Sequence, residues 1–148
     1  MFKKFLIPFA LLFVIAILGC KEEETGPNSP SEFLTHKVWD GGKWTYTYTI
    51  RGIQLIDSTK TIPDVRVTFS PDGNYSANPP FRFMRANGKW KLSEDGKKIT
   101  LDNDAIKGSF EIEKLDIKDL ILKQELNTTD PVLGAEVKEN ATITLQRK

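Results

Sequence analysis

Apolar and polar residues alternate along most of the chain beyond residue 40, which is the pattern of half-buried β-strands. In the clearest stretch, residues 43–51, large side chains fall on one face and threonines on the other. The same alternation predicts eight strands: 43–51, 64–70, 74–78, 88–93, 97–102, 109–115, 119–126 and 140–147. Most connections between them are short, so we predict an all-β domain whose eight antiparallel strands form an up-and-down barrel without exposed edges.

Three stretches do not fit a plain succession of strands. Residues 31–38 predict a short helix with Ser31 as N-cap, in which Leu34 and Val38 lie four apart and cover one end of the barrel. Two longer connections, 52–63 and 79–87, carry apolar residues that loops usually lack: Ile53, Leu55 and Ile56 in the first, Phe81, Phe83 and Met84 in the second. Each is either an extra edge strand or a segment that folds over a barrel mouth.

The inward faces of the predicted strands carry six aromatic side chains: Trp44, Tyr46, Tyr48, Tyr75, Trp90 and Phe110. Rings of this size can line a site for one small hydrophobic ligand, or they can fill the interior of an eight-stranded barrel. A filled barrel is a scaffold whose partners bind outside it. The aromatic positions therefore leave two functions open, a carrier of a small ligand and an interaction module.

The first residues have the order of a secretory signal. Two lysines within residues 1–4 precede an apolar run, 5–18, which ends two residues before the charged residues 21–24. A transmembrane helix needs about 20 apolar residues, and this run is shorter. We therefore predict a signal peptide over 1–19, a tether over 20–31 and the folded domain over 32–148.

The residues at the end of the apolar run, Ile17-Leu18-Gly19-Cys20, resemble the lipobox of bacterial lipoproteins. The resemblance implies cleavage between Gly19 and Cys20, followed by attachment of a diacylglycerol thioether and an amide-linked acyl chain to Cys20. Three chains together would hold the protein on a membrane permanently, because each buried CH₂ contributes about 0.8 kcal/mol. The expected partner at this end of the chain is thus membrane lipid.

Residues 21–31 contain acidic residues, prolines and a glycine but no apolar side chain, so we expect a disordered tether. Cys20-Lys21-Glu22-Glu23 also resembles the export signal of Bacteroidetes lipoproteins, which implies the outer face of the outer membrane. An ordinary solvated charge run accounts for the same residues equally well. The predicted location is the cell envelope, with the lipid anchor in the outer membrane and the face of that membrane left open.

Gly42-Lys43-Trp44, after a short helix and at the start of the first strand, resembles the Gly-x-Trp signature of lipocalins. The stretches 69–75, 88–92 and 95–101 are similar to lipocalin-like domains of small Bacteroidetes lipoproteins, and the resemblance extends from about Trp39 to Leu145. It implies that Trp44 packs across the closed end of a barrel and that Arg147, near the end of the last strand, lies over its ring. It also implies a hydrophobic ligand inside the barrel.

Charge and composition argue against several other functions. The net charge of +1 without a basic block offers no footprint for nucleic acid, and one cysteine cannot build a zinc cluster. The single histidine, His36, has no nucleophilic cysteine to act with, because Cys20 is assigned to the lipid anchor. Residues 102–104 begin like a calcium loop, but Ile106 occupies a ligand position. We therefore predict no enzyme, no metal and no cofactor. Asp57-Ser58-Thr59 resembles the Bacteroidetes O-glycosylation tripeptide, which leaves glycosylation of Ser58 open.

Overall fold

The computed structural model describes residues 26–103 and 106–147, which form one short helix and ten strands. The signal peptide, Cys20 and the start of the predicted tether lie outside the described residues. The elements are α1 (Pro30–Thr35), β1 (Trp39–Asp40), β2 (Gly42–Ile50), β3 (Ile53–Thr61), β4 (Arg66–Phe69), β5 (Asn74–Asn78), β6 (Asn87–Leu92), β7 (Lys98–Asn103), β8 (Ile106–Leu115), β9 (Asp119–Thr129) and β10 (Glu136–Gln146).

All ten strands belong to one antiparallel sheet in the order β1-β4-β5-β6-β7-β8-β9-β10-β2-β3. β1 lies at one end of this order and β2 near the other, yet only Gly41 separates them along the chain. The sheet therefore curls round on itself into a half-barrel. The prediction of an all-β, antiparallel, barrel-like fold with a short helix is confirmed, whereas the strand count is ten rather than eight.

The two additional strands arise where the chain bends within a longer extended stretch. Gly41 takes a φ of +83° between β1 and β2, a value that favours glycine, and its N–H donates to the carbonyl of Val65 at 2.7 Å. Residues 62–65 similarly separate β3 from β4. β3 occupies most of the connection predicted at 52–63, so this apolar segment is an extra edge strand.

The core lies inside the curl of the sheet and is built from alternate residues of successive strands. In β5, Tyr75 and Ala77 are buried while their three neighbours face solvent, and β4 buries Val67 and Phe69 in the same way. Fully buried side chains at the centre include Trp39, Phe69, Phe110, Met84, Ile99, Leu101, Leu120, Leu122, Ile143 and Leu145.

Helix α1 covers one end of the half-barrel, but it is shorter than predicted and begins earlier. Its N-cap is Ser29 rather than Ser31, because Pro30 suits the first helical position and the Ser29 hydroxyl accepts a hydrogen bond from the N–H of Glu32 at 3.2 Å. Leu34 is fully buried, as predicted, whereas Val38 lies beyond the helix and is 37% exposed. Within the described ranges, no helix has the length and apolarity needed to cross a membrane.

Candidate functional site

The six aromatic residues predicted to face inward all belong to the core or pack against it. Tyr46, Tyr75, Trp90 and Phe110 are buried, and Trp44 and Tyr48 are partly buried against the same cluster. Trp90 is held in place by its indole N–H, which donates to the carbonyl of Ser70 at 3.0 Å. The structure thus gathers these side chains in one interior, as the alternation of the strands indicates.

The segment 79–86, between β5 and β6, folds into the open mouth of this interior. Its turn is closed by two hydrogen bonds between Phe81 and Met84, in which each N–H donates to the other residue's carbonyl at 2.9 and 3.1 Å. Met84 is fully buried, and the Phe83 ring lies edge-on to the rings of Trp44 and Phe110, at centroid distances of 5.8 and 6.4 Å. We call residues 79–86 the plug, because Phe83 and Met84 occupy part of the interior of the half-barrel.

A polar cluster lies on the solvent side of the plug. The Tyr46 hydroxyl donates to Oε2 of Glu139 at 2.8 Å, and the Arg82 guanidinium lies over the Tyr46 ring, with Cζ 4.0 Å from its centroid. Burial raises the pKa of Tyr46, and so does the hydrogen bond to Glu139. Sequence reasoning missed Arg82 and Glu139, because neither belongs to a motif. The cluster borders a depression of about 380 Å³ that is open to solvent, lined also by Phe83, Gln124, Leu126 and Ala141.

A second depression, of about 320 Å³, lies between the first half of the plug and the C-terminal end of β3 with the residues that follow it, 62–65. We call it the seam. It is lined by Trp44, residues 60–65 and residues 79–82. Trp44 pairs with Lys60 across β2 and β3, so both side chains project from the same face of the sheet.

Apolar side chains are exposed on β3 and on the neighbouring hairpin tip. Ile53, Leu55 and Ile56 are 65%, 59% and 44% exposed, although all three lie in a strand. Beside them, Val132 and Leu133 in the β9–β10 turn are 89% and 55% exposed, and a hydrogen bond from Arg51 to the carbonyl of Leu133 at 3.4 Å joins the two hairpins. We call these five side chains the aliphatic tip. The sequence analysis identified the three apolar residues on β3 as unusual, but it did not identify Val132 and Leu133.

The predicted contact between Arg147 and Trp44 is wrong. Arg147 lies over Trp39 instead, with its Cζ 3.6 Å from the ring centroid. The strand register explains the difference, because Trp44 pairs with Ile143 and Arg147 lies four residues further along, about 13 Å away. Gly42 keeps a structural role, since a Cβ there would lie 2.2 Å from the carbonyl oxygen of Thr144.

The remaining chemical candidates do not form a cluster. His36 is exposed at the C-cap of α1, and the described residues contain no group of three or more His, Cys, Asp or Glu side chains arranged to hold a metal ion. The calcium-like stretch at 102–104 lies partly outside the described residues. Hydrogen bonds from the N–H groups of Asp119 and Lys118 lower the pKa of Asp116 to about 2, which reflects the capping of a tight turn.

No protein-family model, curated protein or solved structure matches this chain.

Proposed function

We propose that this protein is a lipid-anchored protein of the cell envelope whose β-domain is an interaction module, binding a partner protein through β3 and the aliphatic tip. In this proposal Cys20 carries the lipid and the domain works at the outer membrane. The tether ends at residue 28 rather than 31, because Ser29 caps helix α1. The apolar leader and the residues around Gly19 and Cys20 support the anchor.

The strand pairing supports a lipocalin-like architecture for the module. β1 and β2 form one ribbon interrupted at Gly41, and β3 and β4 form another interrupted at 62–65, so ten strands minus two interruptions leave eight antiparallel ribbons. The first ribbon pairs with the second and also with the last, β10. This is the connectivity expected of an up-and-down barrel of eight strands.

The observation that carries the proposal is the exposure of Ile53, Leu55 and Ile56 on a strand at the edge of the sheet. Proteins usually shield such an edge with charges or cover it, because it pairs readily with other chains. Contiguous exposed apolar surface of this kind marks interaction sites. The interior of the half-barrel is less accessible to a partner than β3 is, because Phe83 and Met84 occupy its mouth.

Site-specific photo-cross-linking in cells tests the proposal. A photoreactive residue in place of Leu55 is expected to form a discrete protein adduct in the envelope. The matched control is the same residue at Ile117, which is 51% exposed in the β8–β9 turn. No adduct at Leu55, or the same adducts from both positions, would contradict the proposal.

A second candidate function, the binding of a small hydrophobic molecule, is favoured by the depression of about 380 Å³ beside Tyr46. Its walls combine apolar groups of Phe83 and Leu126 with the charges of Arg82 and Glu139, and its size is within the range of small-molecule sites. Native mass spectrometry of protein purified from its host tests this function. A stoichiometric adduct that a Leu126→Arg variant loses supports it, and an unliganded mass for the parent protein argues against it.

A further inference from the structure

β3 has one backbone edge available. It pairs with β2 from Lys43 opposite Thr61 to Ile50 opposite Ile53, and no described strand pairs with its other edge. In an antiparallel strand, alternate residues direct their N–H and C=O groups to opposite edges. A row of backbone donors and acceptors along β3 is therefore free to bind an added strand.

The seam lies at the C-terminal end of this edge, where Lys60 and Thr61 of β3 line it. The facing segment begins with Pro79 and Pro80, which lack N–H groups and so cannot donate to β3. The seam also contains apolar surface, since the partly buried side chains of Trp44, Ile62 and Phe81 line it. An extended chain that pairs with β3 and continues into the seam would cover these side chains at the same time.

The charged side chains that line the seam indicate which kind of peptide segment would bind there. Lys60 on β3 and Arg82 on the plug stand on its two sides, and neither forms an ion pair within the described part of the chain. Arg82 stacks on Tyr46, which lines the neighbouring depression, so Arg82 borders both depressions. Asp64, at the end near β4, is the one carboxylate among the described lining residues. Two cationic side chains and one carboxylate thus line the seam, which favours an acidic segment.

We propose that an extended, acidic segment of a partner protein adds to the free edge of β3 and continues into the seam, which rests on the proposed role as an interaction module. The backbone bonds supply affinity, and alternate side chains supply specificity. An apolar side chain covers Trp44, and a carboxylate of the added strand lies between Lys60 and Arg82. Leu55 and Ile56, which belong to the aliphatic tip, extend the contact along β3.

The experiment uses the full lipidated chain in detergent and short blocked peptides as probes. In the first peptide valine alternates with glutamate, in the second lysine replaces glutamate, and the third is the acidic peptide N-methylated along one edge. Fluorescence anisotropy is expected to show binding of the acidic peptide and at least about tenfold weaker binding of the other two. On binding, hydrogen exchange should slow at amides of β3.

Reversing the charges of the seam distinguishes specific binding of the peptide in the seam from general electrostatic attraction to the protein. The double variant Lys60→Glu with Arg82→Glu is expected to bind the acidic peptide at least about tenfold more weakly than the parent protein does. It should bind the lysine peptide more tightly than the parent does. Lys91→Glu is the matched control, because Lys91 is exposed on β6 without a described ion pair, and it should change neither affinity. The proposal would be overturned if the parent protein bound both charged peptides with equal affinity. It would also be overturned if the double variant kept the parent's affinity for the acidic peptide.

Two further outcomes keep this proposal distinct from the proposed function. If Leu55 forms its adduct in cells while β3 gains no protection with any peptide, the module stands and strand addition in the seam is wrong. If neither is observed, both are wrong. A stable dimer of the full chain that protects β3 and excludes the acidic peptide would also overturn the inference, since a second copy would then occupy the edge.

Discussion

The guanidinium of Arg147 lies over the indole of Trp39, with Cζ 3.6 Å from the ring centroid. The same group donates to the carbonyls of Leu34 at 3.3 Å, Lys37 at 3.2 Å and Ile117 at 3.3 Å, and also to that of Phe33. One side chain near the end of the chain thus joins the helix, the buried Trp39 and the β8–β9 turn. This closes the end of the half-barrel opposite the plug and the aliphatic tip.

Replacing Arg147 should therefore loosen the closed end. Arg147→Ala removes a cation–π contact and several hydrogen bonds, and we expect it to lower the free energy of unfolding by about 2–4 kcal/mol. The free energy of unfolding of Arg147→Lys should lie between those of the parent protein and Arg147→Ala, because an ammonium cannot reach all of these carbonyls from one position. Urea unfolding measures the difference, with Lys118→Ala as a control in the adjacent turn. A loss below about 0.5 kcal/mol for Arg147→Ala would contradict this role.

The two tryptophans near the start of the sheet should differ in their contribution to stability. Trp39 is fully buried, so Trp39→Ala should cost about 3–5 kcal/mol. Trp44 is only partly buried in the seam, and Trp44→Ala should cost clearly less. Urea unfolding of both variants checks this order. The reverse order would show that Trp44 rather than Trp39 anchors the core, as the lipocalin resemblance implies.

The plug can be tested by removing its central ring. Phe83→Ala should lower the free energy of unfolding by about 3–5 kcal/mol and leave a cavity between Trp44 and Phe110. We expect the variant to bind an apolar fluorescent dye that the parent protein excludes. Phe81→Ala, at a less buried position of the same segment, is the control and should have a smaller effect on both measurements. Equal dye binding by parent and variant would show that the interior is already open.

Cys20→Ala should separate the anchor from the fold. Without the thiol no lipid can be attached, so the protein should leave the membrane fraction. Its circular dichroism and urea unfolding should match those of the parent domain, because Cys20 precedes the described part of the chain. Sedimentation after cell lysis checks the first expectation. If the variant still sediments with membranes, the lipoprotein assignment is wrong.

Much of the sheet follows from local pattern. The alternation of aromatic residues and threonines at 44–50 predicts β2, and the Pro-Asp-Gly turn at 71–73 predicts the connection of β4 to β5. These features depend on neighbouring residues alone. The inward set from Trp44 to Phe110 follows from them, because side chains of a strand point alternately to its two faces.

The remaining features depend on contacts between distant segments. A register shift between Tyr48 and Thr49 disturbs the alternation in β3, so Ile53, Leu55 and Ile56 do not read as a regular strand. The partner of Arg147 depends on the bend at Gly41 and on the pairing of β10 with β2. Insertion of Phe83 depends on the space between Trp44 and Phe110. The local sequence pattern around residue 83 does not predict that space.

The most direct measurement of the central claim compares amide hydrogen exchange of β3, Ile53–Thr61, in the purified full chain and in native envelopes. In the purified protein the amides at the unpaired edge should exchange quickly, whereas those of β9 and β10 exchange slowly. In native envelopes a bound partner should protect the β3 edge and leave the β8–β9 turn near Ile117 unchanged. Equal exchange of β3 in both preparations would contradict the account.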